Sequence, residues 1–324
     1  MNRPWKSAIV PALVGVAALA LTSCAGGGSA DAGGGDYSPG NSVRMIVPFA
    51  AGGGSDLAGR AIATGLEPIT GATVTVENLV GGSGAVGYAQ LVGSAGDASI
   101  LLASETSLIT LPVVQDVPFS YQDFTPIMKL AEDYNLVVVR ADSPHQTCND
   151  LVDAAADTTI GIAGTTGPDH IALSLVEQET GSSFERVNFE SGGEITAALL
   201  GGHIGAAGAN PGEILGQLES GDVRALCALA PERYEYPALA DIPTGIEQGI
   251  PVDFAQWRGF VAPGGIPEEA TEYWMDAGRQ LAGSEAFTTY IEDNMLQESV
   301  AYGDEFRTYL DEYQADVESV LGDE

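Results

Sequence analysis

Two stretches of this chain put glycine, hydroxyl and acidic residues where a helix would begin. The first is Ala50-Ala51-Gly52-Gly53-Gly54-Ser55-Asp56; the second is Gly164-Thr165-Thr166-Gly167-Pro168-Asp169-His170. Each follows a short run rich in β-branched residues, Val43 to Val47 and Thr159 to Ala163, that reads as a strand. Ser55 or Asp56 is a suitable N-cap for a helix running on from Leu57, and a second helix is expected over Ile171 to Glu179. Strand, glycine turn and helix N-terminus together aim unpaired backbone N–H groups at one anion. The competing explanation is a tight turn that needs glycine for geometry alone.

Other chemistries have weaker support. Gly82-x-Gly84-x-x-Gly87 matches the dinucleotide fingerprint, with Glu105 at the spacing of a ribose-binding acid, so a cofactor-dependent oxidoreductase is the alternative function. No Gly-x-Ser-x-Gly elbow occurs, because both Gly53-Gly54-Ser55-Asp56-Leu57 and Gly81-Gly82-Ser83-Gly84-Ala85 fail at the last position. His145, His170 and His203 lack metal-site spacing, so neither a metal nor a cofactor is expected. Ser104 lies just past a third strand, Ser99 to Ala103, at the strand end where ligands of open α/β sheets lie.

The elements that must position these residues sit in a strongly acidic chain. Its 324 residues carry 45 Asp and Glu against 12 Lys and Arg, a net charge of −33. Phosphate backbones and anionic lipid would repel such a surface, which argues against nucleic-acid binding. Arg3 and Lys6 precede an apolar run from Ala8 to Leu21, too short for a comfortable membrane span, and Leu21-Thr22-Ser23-Cys24 follows. This reads as a lipoprotein signal over 1–23 with lipid on Cys24, and the glycine-rich 24–40 reads as a flexible tether. Cys148 and Cys227 are either a disulfide pair or buried thiols.

V-R-M-I-V-P-F-A-A-G-G-G-S-D, at Val43 to Asp56, resembles the opening of the solute-binding proteins of tripartite tricarboxylate transporters, the extracytoplasmic Bug-type receptors. The likeness continues through Pro118 to Ile127, Val187 to Gly205 and F-A-Q-W-R-G-F-V-A-P at Phe254 to Pro263, with Gly205 where the family usually has Asp. The resemblance implies an α/β, two-domain periplasmic-binding-protein-like (type II) fold: 41–136 with 257–324, and 137–256, joined by two crossover segments around a cleft. It implies a monomeric receptor, not an enzyme, that binds a small carboxylic acid and passes it to large and small membrane subunits. The ligand-binding set implied is Ala50, Ala51, Gly52, Gly53, Gly54, Ser55, Asp56, Ser104, Gly164, Thr165, Thr166, Asp169, His170 and Asn210. Asp169 departs from the hydroxyl residue usual there and would set a carboxylate toward an anionic ligand. Arg258, on the returning crossover, is the one cationic rival to a main-chain grip. Cys24→Ala is expected to move the protein from the membrane fraction to the soluble one; unchanged fractionation would contradict the lipoprotein reading.

Overall fold

The computed structural model describes residues 37–163, 167–189 and 191–322. The leader 1–23, Cys24, the tether as far as residue 36, and Gly164, Thr165 and Thr166 lie outside them.

The chain opens with β1 (Ser42–Val47), α1 (Gly54–Thr70), β2 (Thr73–Asn78), α2 (Ala85–Val92), β3 (Ile100–Glu105), α3 (Ser107–Val114) and β4 (Phe124–Tyr134). It continues through β5 (Leu136–Arg140), α4 (Cys148–Asp153), β6 (Thr159–Ala163), α5 (Pro168–Thr180), β7 (Glu185–Phe189), α6 (Gly192–Leu200), β8 (Ala206–Ala209), α7 (Pro211–Ser220) and β9 (Val223–Ala228). It closes with β10 (Ala255–Pro263), α8 (Glu268–Ala282), α9 (Glu285–Asp293), β11 (Gln297–Tyr302) and α10 (Gly303–Leu321). Two sheets result, ordered β11-β4-β10-β3-β1-β2 and β7-β6-β8-β5-β9. In the first, β1 runs parallel to both β2 and β3, which explains its mostly apolar sequence: Val43, Met45, Ile46 and Val47 are all fully buried, and the interrupting Arg44 pairs with Glu77 of β2.

The chain passes between the sheets twice. Only Asn135 separates β4 from β5, and β10 returns to lie antiparallel between β3 and β4. β4 and β11 are among the strands that escaped the sequence reading. β4 carries Pro126, Lys129, Glu132 and Asp133, a poor strand pattern for a central position. Pro126 is accommodated at a register shift against β10, opposite Val261. The buried Lys129 is compensated by Glu132 Oε1 at 2.8 Å and by the Tyr309 ring, whose centroid lies 3.5 Å from Nζ. β11 occupies an edge, and its polar Gln-Glu-Ser sequence hides it.

One apolar cluster lies between the first sheet and α1, α8 and α9, with Leu66, Phe260 and Trp274 buried in it. A second packs Ile195, Leu199 and Ile214 of α6 and α7 on the second sheet. The third joins the two sheets, combining Ile46 and Trp257 with Val139, Ile160 and α10. There the Phe254 and Tyr313 rings stack at 4.7 Å, and Gln178 of α5 donates to the Ser319 carbonyl of α10 at 3.1 Å. Tyr37, within the stretch expected to be a tether, donates to the Ala98 carbonyl at 2.9 Å and meets Tyr273 edge-on. Cys148 and Cys227 are joined by a disulfide, with Cα atoms 5.9 Å apart. No described helix is long and apolar enough to cross a membrane.

Candidate functional site

A cleft of about 640 Å³ lies between the two sheets, with strand ends and helix starts from both in its wall. From the first side come Gly52, Gly53, Gly54 and Ser55, Ser83, and Glu105, Thr106 and Ser107. From the second come Gly167, Pro168, Asn210, Gly212 and Glu213, while Asp133, Gln256 and Arg258 form the floor on β4 and β10. Tyr290 and Asp293 of α9 also line it.

The first glycine loop is open to a ligand. Gly52 has φ +88°, a conformation that favours glycine. The first intrahelical bond of α1 is Leu57 N–H to Gly53 O at 3.0 Å, which leaves the amides of Gly54, Ser55 and Asp56 outside the helix's own ladder. Asp56 itself is 2% exposed and does not line the cleft. Its carboxylate accepts from Gly52 N–H (2.9 Å), Arg60 Nε (2.8 Å) and Asn78 Nδ2 (2.9 Å), so it braces the loop from behind. The Arg60 contact, with the Gly52 and Asn78 bonds, holds its pKa down at about 2. Ala50 and Ala51 are exposed before the turn and outside the cleft wall. Ser104 is buried under the wall, its Oγ 3.2 Å from the Tyr88 hydroxyl.

The second loop is built differently. Pro168 opens α5 without an N–H, and Asp169 Oδ2 folds back to accept from Ala163 N–H at 2.5 Å, while Oδ1 is buried without a hydrogen-bond partner among the described residues. Burial raises the Asp169 pKa. Sequence reading gave the two helix starts equal roles; Asp169 makes them unequal. Its carboxylate is turned into the loop rather than toward a ligand. His170 is buried beside Arg186, whose Nη1 lies 2.9 Å from Nδ1, and is absent from the cleft wall. Asn210 does line the cleft, as N-cap of α7.

Arg258 dominates the floor. It is 7% exposed, and its Nη2 donates to Gln256 Oε1 at 3.0 Å. Gln256 in turn donates to Glu105 Oε2 at 2.8 Å, and Glu105 Oε1 accepts from the Ser107 amide at 3.2 Å and from its hydroxyl. A Cβ placed on Gly54 would stand 2.8 Å from Arg258 Nη2, so this glycine exists for close approach. Gly53, by contrast, has an ordinary extended backbone and room for a side chain. Arg258 Nε and Asp133 Oδ1 are both buried without a hydrogen-bond partner among the described residues. Charged residues inside an otherwise apolar strand were the signal that would have found Asp133.

The glycines at 82–87 serve packing. A side chain at Gly87 would come within 2.7 Å of Pro48, and one at Gly84 within 3.3 Å of Phe49. Glu105, the candidate ribose ligand, is already engaged by Gln256 and Ser107. The oxidoreductase reading has no support in this geometry.

A model of the tripartite tricarboxylate transporter family receptor matches residues 58–315. The chain belongs to that family. The receptor is 28% identical over 241 residues to Protein BugT of Bordetella pertussis, a match covering 71% of this chain and 73% of that protein. A TctC solute-binding protein from Polaromonas, solved without ligand, superposes with a TM-score of 0.81 at 26% identity, covering 89% of this chain and all of that one. The fold is thus the mixed α/β, two-sheet fold of these periplasmic receptors, and the chain is a solute receptor of this transporter class. An R. palustris protein with adipate shares the fold at a TM-score of 0.71 and 22% identity, covering 88% of this chain and 98% of that one.

Asp56 gives a test of the loop's construction. Its folded pKa lies below the ordinary value of 3.8, so its contribution to stability is complete above that value and is lost as pH falls toward about 2. Asp56→Asn should lower stability near neutral pH by about 1–3 kcal/mol and flatten the acid limb of the denaturation midpoint between pH 4 and 2. An unchanged acid limb would contradict the brace.

Proposed function

We propose that this receptor closes two lobes, 41–136 with 257–324 and 137–256, on a small carboxylic acid. It presents that acid to the large and small membrane subunits of a tripartite tricarboxylate-type transporter. It works outside the cytoplasm as a monomer, held to the cell membrane by lipid on Cys24, and turns over no substrate. Family membership supports the class of function, and the adipate in the R. palustris neighbour supports the chemistry of the ligand.

The observation that carries the reading is the meeting of Arg258 with the start of α1. A carboxylate placed there would receive charge-assisted hydrogen bonds from the guanidinium together with the amides of Gly54, Ser55 and Asp56. Asn210 and Gly167 line the cleft from the opposite lobe. Asp56 and Asp169 act on the ligand indirectly, by fixing the loops. Rotation at Asn135 and near Phe254, where the chain changes sheets, would close the lobes.

Calorimetry across a panel of carboxylates identifies the ligand class. Arg258→Ala should weaken the best of them about 10- to 150-fold, equivalent to about 1.5–3 kcal/mol for a hydrogen bond to a charged group. Gly54→Val should act in the same direction by displacing the guanidinium. Wild-type affinity in Arg258→Ala would overturn the proposed grip.

A further inference from the structure

We infer that the solute carries an ammonium group beside its carboxylate, with Asp133 receiving the ammonium and Arg258 the carboxylate. The inference rests on the carboxylate reading above and deepens it to α-amino acids.

The placement of the two residues is the first argument. Asp133 is paired with Gln256 and Arg258 with Glu105 across β10, and residues two apart on a strand share a face. All four line the same cleft. Asp133 is 8% exposed and Arg258 7%, yet no ion pair among the described residues joins them. Instead Asp133 Oδ1 and Arg258 Nε each lack a hydrogen-bond partner. Buried polar atoms are almost always satisfied, and one unpaired acceptor beside one unpaired donor is the complement of a zwitterion.

The charge census is the second. Glu105, Asp133, Glu213 and Asp293 line the cleft, and among the described residues Arg258 is its only cationic side chain. Glu105 is satisfied by Gln256 and Ser107, and Glu213 and Asp293 are exposed to solvent. Asp133 is left facing the ligand space. A dicarboxylate would bring two more negative charges into this wall, in a chain that already carries −33. An α-amino acid with a neutral side chain brings no net charge.

Asp133 also makes the inference readable through pH. It is faced by Gln256 and Arg258 from β10, Asn210 and Glu213 from α7, Tyr290 from α9, and Tyr234. Burial pushes its pKa up to about 6, against the pull of Arg258 and Asn210 and with the help of Glu213. An ammonium needs the ionised form, so affinity should fall about tenfold between pH 7 and pH 5.

The test is calorimetry on matched pairs, each an α-amino acid and its des-amino counterpart: aspartate and succinate, glutamate and glutarate, leucine and 4-methylpentanoate, phenylalanine and 3-phenylpropionate. At pH 7.5 the best ligand should be an amino acid at least tenfold tighter than its partner. Asp133→Asn should remove that preference and the fall toward pH 5. If the variant fails to fold, the pH course of the wild-type protein decides. Equal or tighter binding of the des-amino acids, or amino-acid affinity independent of pH between 7 and 5, overturns the ammonium site and leaves the carboxylate reading standing. Binding of 2-phenylethylamine as tight as that of phenylalanine overturns the carboxylate reading instead. Binding by none of these probes overturns both.

Discussion

A guanidinium buried in a chain of net charge −33 has many acids to choose from, and among the described residues Arg258 forms an ion pair with none of them. Its position depends on neutral neighbours. Gln256 accepts from it on one side and donates to Glu105 on the other, which fixes the orientation of the Gln256 amide and keeps Glu105 from capturing the arginine. Gly54 supplies the space on the remaining side. Burying an unpaired charge is costly, so the surroundings must hold it there by packing. β10 does this by lying between β3 and β4 at the centre of the first sheet. The site is therefore a consequence of how the last crossover is inserted.

The two glycine loops show one device used for different ends. In both, an acid in the first turn of the helix folds back on the strand–helix connection, Asp56 on Gly52 and Asp169 on Ala163. At α1 the acid reaches behind the loop to Arg60 and Asn78, and the amides ahead of it stay open. At α5 the acid's Oδ2 takes the Ala163 amide at the end of the preceding strand, and the helix opens on a proline that has no amide to offer. Anion binding at a helix start depends on where the nearest carboxylate goes.

Much of this was legible in the sequence. The strands at Val43, Ser99 and Thr159, the helices that follow Asp56 and His170, and the glycine turns follow from local pattern and capping, and the two-sheet plan follows from resemblance to the family. Tertiary neighbours decided the rest. β4 reads poorly because Lys129 and Glu132 neutralise each other within it, against Tyr309 from α10, some 180 residues further along the chain. Asp133 belongs to a site only because β10, far along the chain, sets Arg258 two positions from its pairing partner Gln256. The direction of the Asp56 and Asp169 carboxylates is likewise invisible in sequence, since the same residue type at the same helix turn can face ligand or loop.

The third apolar cluster runs continuously from one sheet to the other through α10, so the proposed lobe closure would pivot around a packed core rather than open it. That leaves the cleft wall, and not the hinge, to choose the solute. The most direct measurement is a crystal structure of the receptor with its tightest-binding solute from the calorimetric panel. The account predicts a carboxylate within hydrogen-bond distance of the Arg258 guanidinium and of the amides at the start of α1. A solute bound with Arg258 and that helix start both free would contradict it.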